Sequence, residues 1–186
     1  MKILDENFTV ERYGLKVRLV KENDAEFIIS LRSDPNKTKY MITLTDEIEN
    51  QIRWIQEYKE REREGLDYYF IYSNDEGKSI GLNRLSHIDY NEKSGKASSW
   101  IAIEELKYEP IIMILLANEV VFNIIGIEST WGELHKNNNS AYKILKLFGY
   151  KFKDIGTEYF RSSLLKSDFF DACKNNKILN RILSSV

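Results

Sequence analysis

The chain has 186 residues, with 27 Lys and Arg against 29 Asp and Glu, which gives a formal net charge of −2. This length fits one domain of ordinary size, and the 42% of hydrophobic residues can form a core without a metal or disulfide. The composition excludes a disordered chain, the single cysteine excludes an internal disulfide, and the charge balance argues against a nucleic-acid partner.

The first third of the chain predicts one strand and two helices. Alternating apolar residues predict a strand over 15–20. Asn23 begins a capping-box pattern and predicts a helix that ends before Pro35. A second helix is predicted from about Thr45, and the mixed charge run over 57–64 is interpreted as its solvated face.

The middle of the chain predicts three strands and a buried helix. The strands cover 68–72, 79–90 and 96–103, and their short connections predict an antiparallel meander. Pro110 is placed as the first residue of a helix that runs to about Ile125. Polar residues interrupt this apolar stretch, so it predicts a buried helix rather than a membrane span, and we expect a soluble, cytoplasmic protein.

The last third predicts two strands that alternate with two helices. A strand over 129–135 precedes a helix over 138–148, which Gly149 would cap. A strand over 159–165 then leads to a final helix capped by Ser167. The order is β-α-α-β-β-β-α-β-α-β-α, an α/β chain with one right-handed crossover between its fourth and fifth strands.

The sequence lacks several common catalytic motifs. No two glycines are closer than four positions, which excludes the GxGxxG and GxSxG patterns. The two histidines, His87 and His135, lie on different predicted strands, which excludes HExxH. Classical dehydrogenases, serine hydrolases and zinc hydrolases are therefore excluded, and no metal site is expected.

Three segments, in this order along the chain, resemble motifs of the GNAT (Gcn5-related) N-acetyltransferases. They are 31–41 (LRSDPNKTKYM), 80–89 (IGLNRLSHID) and 138–150 (NNSAYKILKLFGY). The third is similar to the family's N-x-x-[SA]…K-x-G-[FY] and is the most specific. The first is similar to two branches, the ribosomal-protein N-terminal acetyltransferases and the nucleotide-linked aminosugar acetyltransferases of the pseudaminic-acid type. The resemblance implies one GNAT domain over 1–186, with a mixed, mostly antiparallel sheet and helices on both faces.

The resemblance also implies acetyl-CoA as donor and no metal. In this fold the fourth strand separates from the fifth, and the pantetheine arm of CoA lies in the gap and pairs with the backbone of the fourth strand. The pyrophosphate of CoA binds the free N–H groups at the start of the next helix. The implied donor-binding residues are Ile101, Ala102, Ile103, Lys107, Ile111, Ile112 and Asn138. Asn138 matches the family residue that reaches the pantetheine arm, although asparagine is equally favoured there as a helix cap.

The chain departs from the family at the pyrophosphate loop. Residues 107–112 (KYEPII) replace the family's [RQ]-x-x-G-x-[GA]. Pro110 has no N–H to donate, Ile112 is bulky, and Glu109 adds a negative charge. Leu145 also stands where many members carry a tyrosine that protonates the CoA thiolate. These changes predict donor binding that is weakened, reshaped or lost.

The reaction requires a base for the ammonium group and a proton donor for the thiolate. His87, on the third strand, is one candidate base, and Glu104 acting through a water is another. Tyr142 is the candidate hydroxyl, with packing on the helix face as the alternative. The resemblance assigns Arg32, Tyr40 and Met41 to the acceptor side.

The sequence therefore predicts an acetyl-CoA-dependent N-acetyltransferase that acts on a small-molecule primary amine. The favoured acceptor is a nucleotide-linked aminosugar. Two alternatives stay open: a peptide or protein N-terminal α-amine acetyltransferase, and a GNAT-fold binding module without catalysis. No membrane or nucleic-acid partner is expected, and association into a homodimer stays open.

Overall fold

The computed structural model describes residues 1–41, 47–103 and 107–184, and these form one α/β unit. The strands are β1 Thr9–Arg12, β2 Leu15–Leu19, β3 Tyr68–Asn74, β4 Ser79–Asp89, β5 Ser94–Ala102, β6 Ser129–His135, β7 Lys151–Asp154 and β8 Tyr159–Leu165. The helices are α1 Ala25–Arg32, α2 Ile48–Arg63, α3 Glu109–Glu119, α4 Asn139–Leu147, α5 Lys166–Asn175 and α6 Lys177–Leu183. A 3-10 turn, Glu22–Asp24, precedes α1, and a π-helical segment, Val120–Ile125, follows α3.

The strands pair into one sheet in the order β1-β2-β3-β4-β5-β6-β8-β7. Every neighbouring pair is antiparallel except β5 and β6, which run parallel. The meander predicted from short turns is therefore confirmed, as is the mixed, mostly antiparallel sheet. None of the helices in the described ranges combines the length and hydropathy that crossing a bilayer requires.

Several predicted element boundaries are wrong for local reasons. Asp24, rather than Asn23, organises the entry to α1, because its carboxylate accepts the Lys21 N–H at 2.7 Å and pairs with the guanidinium of Arg18. The final helix begins without a Ser167 cap and divides into α5 and α6. Its second part is capped by Asn176, whose side chain accepts the N–H groups that follow it.

Two predicted features differ further. The short strands β1 and β7 were not predicted, because each has four residues without a buried alternating pattern. The predicted start of the second helix at Thr45 lies outside the described residues, and α2 begins at Ile48. The structure therefore adds a strand at each edge of the sheet.

The charge run at the end of α2 is not wholly a solvated face. Glu62 is buried, accepts the hydroxyl of Tyr58 and pairs with the Lys59 ammonium at 2.8 Å. Arg61 pairs with Asp67 of the following loop at 3.2 Å. Because Glu62 is buried with its two partners and Arg61 connects α2 to the loop before β3, the run has a structural role that charge patterning did not indicate.

Helices α1 and α2 cover one face of the sheet, and α3 covers the other. The smaller core, under α1 and α2, includes Tyr69 of β3. Residues that lie opposite each other on paired strands point to the same face of the sheet. This face therefore continues from β3 to β6 through the pairs Tyr69↔Arg84, Ser86↔Lys96 and Lys96↔Trp131. The larger core lies under α3. It requires glycine at position 81, because a Cβ there would lie 2.7 Å from the carbonyl oxygen of Ile101 and still closer to the terminal methyl group of Met113 in α3.

Candidate functional site

Strands β5 and β6 separate after a short stretch of pairing, and a cavity lies where they separate. Their parallel register covers only Ser94↔Ser129, Gly95↔Thr130 and Lys96↔Trp131. Beyond it, a cavity of about 150 Å³ is lined by β5 residues 97–100 and by four residues of β6. The separation of the fourth and fifth predicted strands is thus present at the expected place.

A bulge shapes the β5 wall of this cavity. Between the pairs Leu82↔Ile101 and Arg84↔Ser98, β5 contains one residue more than β4. Ser99 accommodates it with a φ of 54°, an uncommon backbone conformation for a non-glycine residue. Trp100 lines the cavity, and its buried indole N–H has no hydrogen-bond partner among the described residues.

The loop after α1 forms the wall above the sheet face that carries α1 and α2. Tyr40 and Met41 both line the cavity, and the ring of Tyr40 packs on that of His135 at a centroid distance of 4.9 Å. Arg32 does not line the cavity and lies beside the hydroxyl of Tyr69. Two of the three residues predicted for the acceptor side thus line the cavity.

His135 is the histidine that the fold brings to this cavity. Its Nδ1 accepts the N–H of Asn137 at 3.1 Å, so the neutral ring carries its proton on Nε2. The ring of Tyr159 also contacts the His135 ring, nearly perpendicular to it and at 5.3 Å between centroids. His135 is therefore held in one orientation and offers a hydrogen-bond donor.

Glu133 is the one carboxylate among the described residues that line the cavity. It pairs with the Lys96 ammonium at 3.3 Å and with the Arg161 guanidinium at 3.5 Å. Both cations also lie over the ring of Trp131, at 5.2 Å and 4.6 Å from its centroid. The negative charge of Glu133 is thus balanced on the protein itself.

Neutral polar groups lie at the inner end of the cavity. The buried hydroxyl of Tyr150 donates to Oδ1 of Asn118 at 3.3 Å, and Nδ2 of Asn118 donates to the carbonyl of Ile114 at 2.9 Å. Burial raises the pKa of Tyr150, so this hydroxyl stays protonated. Asn118 is one of the polar residues that interrupt the apolar stretch of the sequence, and a polar residue in a helix predicted to be buried is a signal for such a contact.

Asn138 is both a cap and a cavity residue. Its Oδ1 accepts the N–H of Ala141 at 3.1 Å, which satisfies one free donor of α4. The same residue lines the cavity, and its Nδ2 makes no hydrogen bond within the described chain. The cap and ligand interpretations are thus compatible, because they use different atoms.

Of the three residues at the end of β5 that were predicted to bind the donor, one directs its backbone groups into the gap between β5 and β6. The Ile103 N–H donates to the Ile80 carbonyl of β4 at 2.9 Å. Neighbouring residues of a strand point their N–H and C=O in opposite directions, so Ala102 faces the gap while Ile101 and Ile103 face β4. Ala102 is therefore the predicted residue whose backbone groups are placed to bind a ligand there.

The start of α3 differs from what the sequence predicted. The N–H groups of Ile111 and Ile112 both donate to the carbonyl of Tyr108, at 2.9 and 3.0 Å, so they do not point outward as free donors. The side chain of Ile112 is buried in the larger core. Oε2 of Glu109 accepts the N–H groups of Lys107 and Tyr108, both at 2.9 Å.

A second cavity, of about 490 Å³, lies at this end of α3. The described residues that line it include three carboxylates, from Asp75, Glu76 and Glu109, and one ammonium, from Lys107. A pyrophosphate would meet net negative charge there. The described part of this loop therefore does not fit the pyrophosphate of CoA as the family resemblance implied.

The structure places His87 and Tyr142, two of the three catalytic candidates, outside the lining of the cavity. His87 is exposed at a bulge of β4, with a φ of 51° and its Nδ1 3.0 Å from the hydroxyl of Ser86. Tyr142 packs on Phe152 at 4.6 Å between centroids, and neither His87 nor Tyr142 lines the cavity. Glu104 lies outside the described residues. The catalytic roles of these three residues stay predictions.

Comparison with known families assigns the chain to a class. Residues 17–163 match the model of the acetyltransferase (GNAT) domain. The chain therefore belongs to the GNAT acetyltransferases and is an N-acetyltransferase by family. No protein in the curated sequence collection matches it significantly.

Solved structures give a finer comparison. The chain is similar to apo FdhC, described as a nucleotide-linked sugar GNAT, with 34% identity, a TM-score of 0.81 and coverage of 95% of this chain and 98% of that one. It is also similar to spermidine N-acetyltransferase from Vibrio cholerae in complex with CoA and spermine, with 16% identity, a TM-score of 0.72 and coverage of 86% and 99%. The second likeness shows the fold alone.

Proposed function

We propose that this chain transfers the acetyl group of acetyl-CoA to the primary amine of a nucleotide-linked aminosugar. The observation that carries the proposal is the 34% identity, over 95% of the chain, with a nucleotide-linked sugar GNAT. The family uses acetyl-CoA, and a structural neighbour is in complex with CoA.

The charge around the cavity supports this acceptor over a polyamine. A polycationic acceptor requires carboxylates that are not already neutralised. Glu133, the only carboxylate among the described lining residues, is paired with two cations. Arg84, which together with Arg61 shares the single carboxylate of Asp67, also belongs to the lining. An acceptor that carries phosphate groups suits this balance better than spermidine does.

The reaction joins the amine nitrogen to the acetyl carbon and releases CoA as a thiol. The amine must lose a proton, and the carbonyl oxygen develops negative charge in the transition state. Within the cavity, the carboxylate of Glu133 is placed to accept a proton. The Nε2–H of His135 and the indole N–H of Trp100 are donors available to an oxygen atom.

The donor would be held mainly by its pantetheine part. The backbone of Ala102 faces the gap between β5 and β6, and Asn138 offers its Nδ2 from the other side. When bound, acetyl-CoA supplies the activated thioester. The chain's own groups would orient that thioester and exclude water beside the apolar side chains of Ala141 and Leu145.

A panel of acceptors tests the proposal. The purified chain is mixed with acetyl-CoA and one of three amines: a nucleotide-linked aminosugar, spermidine or a short peptide with a free N-terminus. Release of the CoA thiol is then followed. We expect turnover with the aminosugar at least tenfold above that with the others. Faster acetylation of spermidine or of the peptide would overturn the proposed acceptor.

A second candidate function is a GNAT-fold binding module without acetyl transfer. The start of α3 favours it, since Glu109 and Tyr108 engage the amides that would hold a pyrophosphate. Thermal unfolding with increasing CoA separates the two, because a ligand that binds the folded state raises the melting temperature with [L]/Kd. No rise at millimolar CoA would favour the binding module.

A further inference from the structure

A buried carboxylate fixes a guanidinium at the cavity. Arg84 of β4 lines the cavity, and its Nε donates to Oδ1 of Asp67 at 2.8 Å while its Nη2 donates to Oδ2. The side chain of Asp67 is only 3% exposed. The guanidinium also lies over the ring of Trp54, 5.1 Å from its centroid. This two-point contact and the stacked ring hold the Arg84 fork in one orientation.

One edge of this guanidinium is still available. Nη1 of Arg84 makes no hydrogen bond to any described residue, and it is not among the buried side-chain atoms that lack a partner, so it is not fully buried. The side chain as a whole is 26% exposed. Nη1 and the second hydrogen of Nη2 form the outer edge of the fork, which matches two oxygens of a phosphate group.

The cluster around Asp67 has an unbalanced positive charge. Arg61 also pairs with Asp67, through its Nε at 3.2 Å, so two guanidiniums share one carboxylate and the trio has a net charge of +1. This side of the cavity therefore attracts an anion.

We infer that Arg84 is the anion-binding residue of the acceptor side and that its ligand is the diphosphate of a nucleotide-linked acceptor. The inference rests on the proposed function for the identity of the acceptor. It assigns a role to a residue that the sequence motifs did not indicate. The pyrophosphate of CoA has the same chemistry, so a test must distinguish these two sources.

The chain offers a matched control. Arg61 shares the Asp67 carboxylate with Arg84 but does not line the cavity. Either substitution, Arg84→Gln or Arg61→Gln, leaves Asp67 with one guanidinium partner, so their effects on folding should be similar. Only the first changes a residue that lines the cavity. Arg84→Lys is a further variant that keeps the charge and loses the fork.

The experiment is calorimetric titration of the wild type and the three variants with UDP, dTDP, inorganic pyrophosphate and CoA. We expect Arg84→Gln and Arg84→Lys to lower the affinity for UDP, dTDP and pyrophosphate tenfold or more. Arg61→Gln should change these affinities less than twofold. The affinity for CoA should be the same in all four proteins. Equal weakening in Arg84→Gln and Arg61→Gln, or a loss of CoA binding confined to the Arg84 variants, would overturn the inference.

Acetyl transfer is measured separately on the same proteins. If diphosphate binding depends on Arg84 but the aminosugar is not acetylated, the proposed acceptor fails and the anion site stands. If the aminosugar is acetylated with the same KM by the wild type and Arg84→Gln, the anion site fails and the proposed function stands.

Discussion

The carboxylate of Glu109 accepts the backbone N–H of Lys107 at 2.9 Å and so occupies a donor at the start of α3. The Tyr108 N–H donates to the same oxygen. A carboxylate at a helix N-terminus is favoured by the helix dipole and competes there with any phosphate group. The side chain of Glu109 therefore takes the place where an anionic ligand would bind.

Glu109→Gln should raise the affinity for CoA several-fold. The substitution removes one like charge near the pyrophosphate, which at this range and exposure is worth about 0.5–1.5 kcal/mol. Calorimetric titration with CoA measures the change. Glu158→Gln, which removes an exposed charge at the opposite edge of the sheet, is the control. Unchanged or weaker CoA binding in Glu109→Gln would show that the carboxylate does not limit donor binding.

Asn138→Asp should leave the fold intact and weaken the binding of acetyl-CoA. The aspartate keeps the oxygen that caps α4, but it loses Nδ2 and brings a negative charge to the cavity. An unmade buried hydrogen bond costs about 1–3 kcal/mol, so we expect KM for acetyl-CoA to rise tenfold or more, with the acceptor KM nearly unchanged. Asn139→Asp, one residue later and exposed, is the matched control. An unaltered acetyl-CoA KM would leave Asn138 as a cap only.

Substitution of the two histidines should have unequal effects. His135→Ala removes a cavity donor and the ring on which Tyr40 packs, so the acceptor KM should rise about tenfold, equivalent to about 1.4 kcal/mol. His87→Ala should stay within threefold of the wild type, because His87 is exposed and does not line the cavity. Steady-state kinetics over a range of pH checks both. A fall of about 10²–10⁴ in turnover for His87→Ala would instead support His87 as the base.

Glu62→Ala should destabilise the fold much more than Glu60→Ala. Both carboxylates belong to one charge run, but Glu62 is buried with Tyr58 and Lys59, whereas Glu60 and its partner Arg63 are exposed. Removing one member of a buried pair costs about 3–5 kcal/mol, and an exposed pair is worth about 0.2–1 kcal/mol. Urea unfolding gives both free energies. Equal losses would mean that the buried contacts of Glu62 add nothing to stability.

Cys173 should react slowly with alkylating reagents. Burial raises the pKa of this thiol to about 11, so the reactive thiolate gains population only as pH rises towards that value. At pH 8 its thiolate fraction is roughly two hundredfold below that of a free cysteine with a pKa of about 8.5. The alkylation rate with iodoacetamide, followed by mass spectrometry from pH 7 to 10, should still rise tenfold per pH unit at the upper end. A plateau near pH 9 would contradict the raised pKa.

The sequence alone determined the elements whose signal is local. The strands over 129–135 and 159–165 have the predicted bounds, because alternation and flanking turns mark their ends. The helix after Asn138 was also predicted with its cap and its terminal glycine, for each depends on residues within one turn. The GNAT motifs are local as well, which is why the family could be recognised before any tertiary contact was known.

Only the tertiary structure decided which residues meet at the cavity. Arg84 and Asp67 are 17 positions apart and meet because β3 and β4 are paired in one register. Both histidines were predicted on strands, but His135 lies beyond the point where β5 and β6 separate, and His87 lies at a bulge. Strand register, bulges and strand separation arise from packing between distant segments, so they cannot be predicted from the residue pattern of one segment.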